Sequence, residues 1–289
     1  MQKSSHKHVI FKAESQKRPG LEYKMTPVPE FEAIAPGSNK LHNKKCVITG
    51  GDSGIGRAVA IAFANEGADV AIIYLKEEVK DAQLTSALIS EIYNKKCITV
   101  ASDISREKNC SNAIKKITYS FKHIDVLVNN AAVHYPADSI LKISTDQLIK
   151  TFSVNIFSMF WITKSALPFM KKGSCIINST SVTAYRGSAA LIDYSATKGA
   201  IVSFTRSLSA NLVEKGIRVN GVAPGPVWTP LIPSSFPAKK IKTYGTDTPM
   251  KRPAQPAEIA PAYVFLACDD SKYITGQFIH PNGGEIING

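Results

Sequence analysis

The run Cys46-Val47-Ile48-Thr49-Gly50-Gly51-Asp52-Ser53-Gly54-Ile55-Gly56-Arg57, continued by Ala58 to Glu66 and then Val70 to Tyr74, decides the fold. Cys46 to Thr49 reads as a buried strand, Ala58 to Glu66 as a helix stopped by Gly67, and Val70 to Tyr74 as a second strand. Strand, helix and strand within about thirty residues form the crossover that two parallel neighbours need. The glycine cluster falls between the first strand and the helix, where backbone N–H groups and the positive helix end favour phosphate. Glycine there permits positive φ and close approach of the chain to a ligand. The spacing of Gly50, Gly54 and Gly56 is G-x-x-x-G-x-G, and Arg57-Ala58 stands where a Walker loop needs Lys-Ser/Thr. ATP or GTP hydrolysis thereby loses its main support. A turn that merely needs flexible residues is the plainer alternative, but placement inside a crossover unit favours a dinucleotide.

The same alternation runs on through Ile98 to Ala101, Val126 to Val128, Ser174 to Asn178, Arg218 to Val222 and Gln277 to His280, with longer helical stretches between. Continuous apolar strands alternating with helices predict an α/β fold: a doubly wound, mostly parallel, seven-stranded sheet with helices on both faces. Residues 43–289 form this single domain. Residues 1–42 are a polar extension in which Pro19, Pro27, Pro29 and Pro36 break any helical period. Between Trp228 and Pro253 a proline-containing segment with the pair Lys239-Lys240 is a candidate substrate lid, residues 228–253; a surface loop without gating is the alternative.

Composition narrows the function classes. Of 289 residues, 44% are hydrophobic and 20% charged, which excludes a disordered or collagen-like chain. The longest aliphatic stretches fall far short of the roughly 18 residues a membrane span needs, so no membrane partner is expected. The net charge of +12 draws the chain weakly toward polyanions. No run of five basic residues and no zinc-finger spacing accompanies it, so no nucleic-acid partner is expected either. Cys46, Cys97, Cys110, Cys175 and Cys268 are odd in number and widely spaced, mostly in apolar runs, which suits reduced, buried thiols. No apolar signal core is seen near the start, and Glu14 and Glu22 are foreign to a transit peptide. The expected location is the cytoplasm.

Tyr194-Ser195-Ala196-Thr197-Lys198 sets a phenol and an ammonium four residues apart, on one face of a helix. A phenol titrating near its ordinary ~10 is a poor base at neutrality, and a nearby cation favours the phenolate. Alone, the pair is better read as a solvated helix face. It is accompanied, however, by Thr49-Gly50-x-x-x-Gly54-Ile55-Gly56, Asn129-Asn130-Ala131-Ala132, Asn155, Ser181 and Pro224-Gly225. In their order and spacing, from about Leu41 onward, the chain resembles the short-chain dehydrogenase/reductase family. The proline-containing lead, Ala184-Tyr185-Arg186-Gly187 and Trp228 to Phe236 resemble its glucose/ribitol-dehydrogenase-like general-stress subgroup.

The resemblance implies a Rossmann-type fold and an NAD(P)-dependent oxidoreductase that interconverts a small alcohol or polyol and its aldehyde or ketone. Tyr194 would exchange the proton with the substrate oxygen and Ser181 would hydrogen-bond that oxygen. Lys198 would lower the Tyr194 pKa and hold the nicotinamide ribose, and Asn155 would anchor a water linking Lys198 to solvent. Gly50, Asp52, Ser53, Gly54, Ile55 and Gly56 would form the phosphate loop, with Tyr74 and Leu75 beside it. Asp103 and Ile104 would meet the adenine, Asn130 the ribose, and Pro224, Val227 and Thr229 the nicotinamide. A helix cap is the alternative for Asp103, whose position favours the ligand role. Ser179 competes with Ser181 by strand position and is set aside as a packing or turn residue; Tyr185 is expected to line the pocket or pack. Ala132 departs from the family's usual glycine. The region Tyr74-Leu75-Lys76-Glu77-Glu78, with Ser53, leaves NAD or NADP open. Helices near Thr145 to Thr163 and Ala196 to Asn211, with the last strand, imply a homotetramer. Two further readings are a catalytically weak dinucleotide-binding stress or regulatory protein, and a binding module acting through the extension.

Overall fold

In the computed structural model, which describes residues 14–287, seven strands form one sheet in the order β3-β2-β1-β4-β5-β6-β7. The strands are β1 (Lys45–Thr49), β2 (Asp69–Tyr74), β3 (Cys97–Ala101), β4 (Ile124–Asn129), β5 (Met170–Ser179), β6 (Arg218–Val222) and β7 (Phe278–Ile279). Every pairing is parallel, with Cys46 opposite both Val70 and Val126. The helices are α1 (Gly54–Asn65), α2 (Val79–Tyr93), α3 (Glu107–Phe121), α4 (Thr145–Phe152), α5 (Ser158–Ala166), α6 (Thr183–Arg186), α7 (Ile192–Leu212), α8 (Ala238–Ile241) and α9 (Pro256–Ala267).

The two-residue period of a strand sorts the core into two layers. Cys46, Ile48, Val70, Ile72, Val126 and Ile177 face α1 and α9, where every residue from Ala58 to Ala64 is buried and the alanines at 58, 60, 62 and 64 alternate with Val59, Ile61 and Phe63. Val47, Ala71, Ile73, Leu127, Ile176 and Val219 face the other way, against Ile114 and Ile117 of α3 and Ile162 of α5. Strands buried on both faces explain the uninterrupted apolar runs. The order reverses between β1 and β4, so a crevice opens beyond their carboxyl ends, which is where such sheets hold ligands.

The helical region from Thr145 to Thr163 holds α4 and most of α5, joined by a π turn, Ser153–Phe157. The extra residue turns Asn155 inward to complete burial.

From residue 14 the extension is laid along the domain. Gln16 N donates to Pro233 O (2.7 Å), Trp228 Nε1 to Pro27 O (2.9 Å), Ala257 N to Glu30 O (2.9 Å) and Asn65 Nδ2 to Ala35 O (2.9 Å). Met25 joins Trp228, Ile232 and Ile241 in a small apolar cluster, so the segment 228–253, built of turns around α8, packs on the extension. Residues 1–13 lie outside the described part. All five cysteines are free, four of them buried and Cys97 half-buried. Among the described residues no helix is long and apolar enough to cross a membrane, and no cluster of side chains could hold a metal ion.

Candidate active site

Beyond β1 the chain makes the glycine turn. Gly50 (φ +63°) donates to Ile73 O at 2.7 Å, and Gly54 (φ +53°) begins α1; both lie in the left-handed region that a side chain resists. A Cβ on Gly56 would stand 1.8 Å from Gly50 O, so this glycine lets α1 press on the loop. Thr49 Oγ1 accepts from Asn130 N (2.9 Å) and Ala131 N (3.1 Å), while Asn130 Nδ2 donates to Thr49 O and Gly50 O (3.2 Å each). The ends of β1 and β4 are thereby stitched into one rim.

The crevice above that rim is a cavity of about 900 Å³. Gly50, Asp52, Ser53, Gly54 and Ile55 line it from the loop. Tyr74, Leu75, Asp103 and Ile104 line it from the ends of β2 and β3, and Asn130, Tyr194, Lys198, Pro224 and Thr229 from the other side. Two expected contacts fall outside its lining. Gly56 serves packing, and Val227 is buried in the core, paired with Ala254. Asp103 does both things read into it: it lines the cavity, and its Oδ1 accepts from Ser105 N at 3.0 Å ahead of α3.

β5 delivers Ser179 and, just past it, Ser181; α7 presents Tyr194 and Lys198 one turn apart. Ser181 hydrogen-bonds the Tyr194 hydroxyl and its Oγ accepts from Thr183 N at 3.2 Å. Lys198 is 2% exposed, donates from Nζ to Ser179 O at 2.9 Å, and sits 5.3 Å from the Tyr194 ring centre. The expected depression of the phenol is not what the chain's own groups produce. Burial pushes Tyr194 up to about 12, against the smaller opposing effect of Ser181, and burial lowers Lys198 to about 7. A desolvated ammonium is itself half-deprotonated near neutrality, so it is a weaker source of positive potential than the spacing alone implies.

Ser179 behaves as a packing residue, its Oγ sharing a hydrogen bond with Tyr263 Oη (2.6 Å) and donating to Asn130 Oδ1 (3.3 Å). Tyr185 packs on His280 and Phe278 rather than lining the cavity. Asn155 spends its amide on the loop after β4 and on α7: Oδ1 accepts from Val133 N (2.8 Å), and Nδ2 donates to Val133 O (2.9 Å) and Thr197 Oγ1 (3.1 Å). It is adjacent to the site but does not itself line the cavity.

Three groups escaped the sequence reading. His134 lies 5.3 Å from the Tyr194 ring, with Nε2 hydrogen-bonded to Leu231 O at 3.2 Å; burial lowers it to about 4, so the imidazole is neutral. Arg57, fully buried, pairs with Glu22 and with Asp81 Oδ1 (3.1 Å). Arg18 of the extension reaches the cavity wall. Arg57 sits beside Glu22 and Asp52, which burial raises to about 7 and about 6; Glu78, near Asp52 and Asp81, is raised by burial to about 8.

The residues present fit a dinucleotide. The positive-φ loop leaves the floor without side chains at Gly50 and Gly54, the crevice lies at the switch in strand order, and Asp52 Oδ2 is a buried acceptor with no partner beside it. A family model described as enoyl-(acyl carrier protein) reductase, of the short-chain dehydrogenase/reductase type, matches residues 50–285. The chain is a short-chain dehydrogenase/reductase. It is 52% identical over 283 residues to an NADPH-dependent aldehyde reductase 1, chloroplastic, of Arabidopsis thaliana, covering 96% of this chain and 98% of that one. It is 51% identical over 284 residues to a glucose and ribitol dehydrogenase of Daucus carota, covering 96% and 97%. A solved short-chain dehydrogenase from Burkholderia cenocepacia in complex with NADP superposes with a TM-score of 0.79 at 28% identity, over 85% of this chain and 98% of that one. This short-chain dehydrogenase/reductase is an NAD(P)-dependent oxidoreductase, and the nicotinamide coenzyme, when bound, supplies or accepts the hydride.

Proposed function

We propose that this enzyme interconverts a small alcohol or polyol and its aldehyde or ketone, with Tyr194 as the proton-exchanging acid/base. The observation that carries the reading is the convergence of Tyr194 and Lys198 on the cavity wall, with Ser181 just behind it at the phenol. Tyr194 holds the proton at Oη, Ser181 Oγ orients that hydroxyl and the substrate oxygen, and Lys198, fixed on Ser179 O, draws the coenzyme ribose against the phenol. Asn155 holds the loop after β4 to α7 and keeps a path for a water toward Lys198. Gly50, Ser53 and Ile55 border the diphosphate over the floor that Gly54 leaves open, its own N–H being taken by Glu22; Asp52, Tyr74 and Leu75 meet the adenosine ribose, Asp103 and Ile104 the adenine, and Asn130, Pro224 and Thr229 the nicotinamide half. The segment 228–253 closes on the substrate, since Leu231 and Ser234 reach the cavity beside His134.

The printed names of the relatives, an aldehyde reductase and a glucose and ribitol dehydrogenase, favour an aldehyde, sugar or sugar alcohol as substrate. Five free thiols suit a reducing compartment, the cytoplasm. Exposed Leu148, Ile149, Phe157 and Phe160, on and between α4 and α5, offer an apolar face for a homotetramer. The test is titration with NADH and NADPH, then a panel of aldehydes, ketones, polyols and sugars with the tighter coenzyme. Turnover that is lost in Tyr194→Phe with coenzyme affinity retained is the expected result. Coenzyme binding without turnover on any panel member would favour a regulatory dinucleotide-binding protein instead.

A further inference from the structure

The extension does more than pack. Residues Arg18, Pro19 and Gly20 line the same cavity as the glycine loop, Tyr194 and Lys198. Gly20 is wedged against Pro230, where an added Cβ would lie 2.2 Å from the carbonyl oxygen, and Thr229-Pro230 in turn press on Gly54. Two residues on, Glu22 is fully buried; its Oε2 accepts the Gly54 N–H at 2.6 Å and its Oε1 accepts from Arg57 Nη1. Asp81 fixes the same turn, accepting from Glu22 N (3.0 Å) and Tyr23 N (3.1 Å). At the other end Gln16 holds Pro233 O through its N–H and closes a loop with Leu21 N through Oε1 (2.8 Å). The segment 16–22 is therefore a strap, pinned on both sides of the groove.

This arrangement changes the electrostatics where a diphosphate would arrive. The first N–H of α1, which a phosphate would ordinarily take, already serves a carboxylate. Arg57, the nearest buried cation, is shared between Glu22 and Asp81, and Asp52 adds a third carboxyl. The turn offers an incoming anion more negative than positive charge. Arg18 is the one arginine among the described residues that line the cavity, and it has no carboxylate partner among them. Its guanidinium lies 4.4 Å over the Tyr135 ring and Nη2 contacts His134 O at 3.4 Å, so it spans from the Pro230 side to the loop after β4, across the groove. Of the four lysines that line the cavity, Lys198 is tied to Ser179 O, Lys150 stands 3.6 Å from Asp103, and Lys76 and Lys116 enter from past β2 and from α3, on the side of Asp103 and Ile104.

We propose that residues 16–22 form a wall of the coenzyme groove, in which Arg18 is an anion ligand for the coenzyme diphosphate and Glu22 is a positioning residue that holds the strap in place. The reading rests on the coenzyme occupying the cavity, which the family assignment supports, and not on the identity of the alcohol or carbonyl substrate. A planar guanidinium suits bidentate recognition of phosphate oxygens and replaces the donor that Glu22 has taken.

The experiment is fluorescence titration of the full chain with NADH, and calorimetric titration with ADP-ribose, which carries the diphosphate without nicotinamide. Arg18→Ala weakens both by about tenfold, more at low salt than at high, and Arg18→Lys recovers part of the loss. Gly20→Ala, which displaces the strap through Pro230 without altering charge, weakens both as well, with an unchanged circular dichroism spectrum. Dissociation constants for NADH and ADP-ribose that stay at the parent value in Arg18→Ala overturn the proposal. So does a change confined to the KM of an anionic carbonyl substrate, which would make Arg18 a substrate ligand, or a folded Gly20→Ala variant with parental affinity. If the parent chain itself bound none of NADH, NADPH and ADP-ribose, the coenzyme reading of the cavity would fail first.

Discussion

Lys198 Nζ stands 5.3 Å from the ring centre of Tyr194 and is fastened to Ser179 O rather than to the phenol. Burial holds this lysine at about 7, below its ordinary 10.5. Between those two values the folded chain binds fewer protons than the unfolded one, so this group's contribution to stability rises with pH across the window. Lys198→Met removes the burial cost of the charge. Thermal unfolding at a series of pH values is expected to show the variant above the parent at pH 6 and the gap closing toward pH 10; a constant gap would contradict the assignment.

The acids near Arg57 and Asp52 carry the opposite sign. Glu22 at about 7, Asp52 at about 6 and Glu78 at about 8 all stand above their ordinary values because of burial. Their stabilising contribution is full below about pH 4 and is lost as pH rises through the folded values. Glu22→Gln flattens part of that decline between pH 4.5 and 7, readable from urea midpoints, while losing the ion pair to Arg57.

Tyr194→Phe takes away only the oxygen that Ser181 holds. Turnover should fall by about 10² to 10⁴, the range for loss of a positioned acid/base, with NADH affinity within twofold of the parent. Steady-state rates with stopped-flow binding separate the two quantities.

The neighbouring serines should divide cleanly. Ser181→Ala lowers kcat by about tenfold to a hundredfold, because its Oγ faces the phenol. Ser179→Ala, which abandons Tyr263 Oη and Asn130 Oδ1 in the interior, costs about 1 to 3 kcal/mol in denaturant unfolding and leaves most of kcat.

All seven strands were legible because strands covered on both faces are largely apolar, as Val70 to Tyr74 are throughout; β6 keeps the pattern around a buried Asn220, whose amide is satisfied by Ile274 O and Gln277 N. β5 begins earlier than its apolar run, at Met170, because Lys171, Lys172 and Gly173 extend past the core into solvent. Ser181, Tyr194 and Lys198 were singled out through the family resemblance, since the spacing of Tyr194 and Lys198 alone does not tell a site from a solvated helix face. The π turn at Asn155 was not, since an inserted helical residue has no compositional mark. Neither was the Glu22–Arg57 pair: thirty-five positions separate its members, and an acid in a proline-rich lead reads as solvated. His134 was passed over because its distance from Tyr194 is made by the fold, sixty positions apart in the chain.

The extension also sets an order of events during folding. Pro27 and Glu30 precede their partners Trp228 and Ala257 by 201 and more than 220 residues, whereas Glu22 precedes Gly54 by only 32. Contacts of the larger separation form later than local ones, because the long intervening loop must close first. The extension is thus seated in two stages, its Glu22 turn once α1 and α2 exist and its stretch from Pro27 to Glu30 only after α9 has joined the sheet.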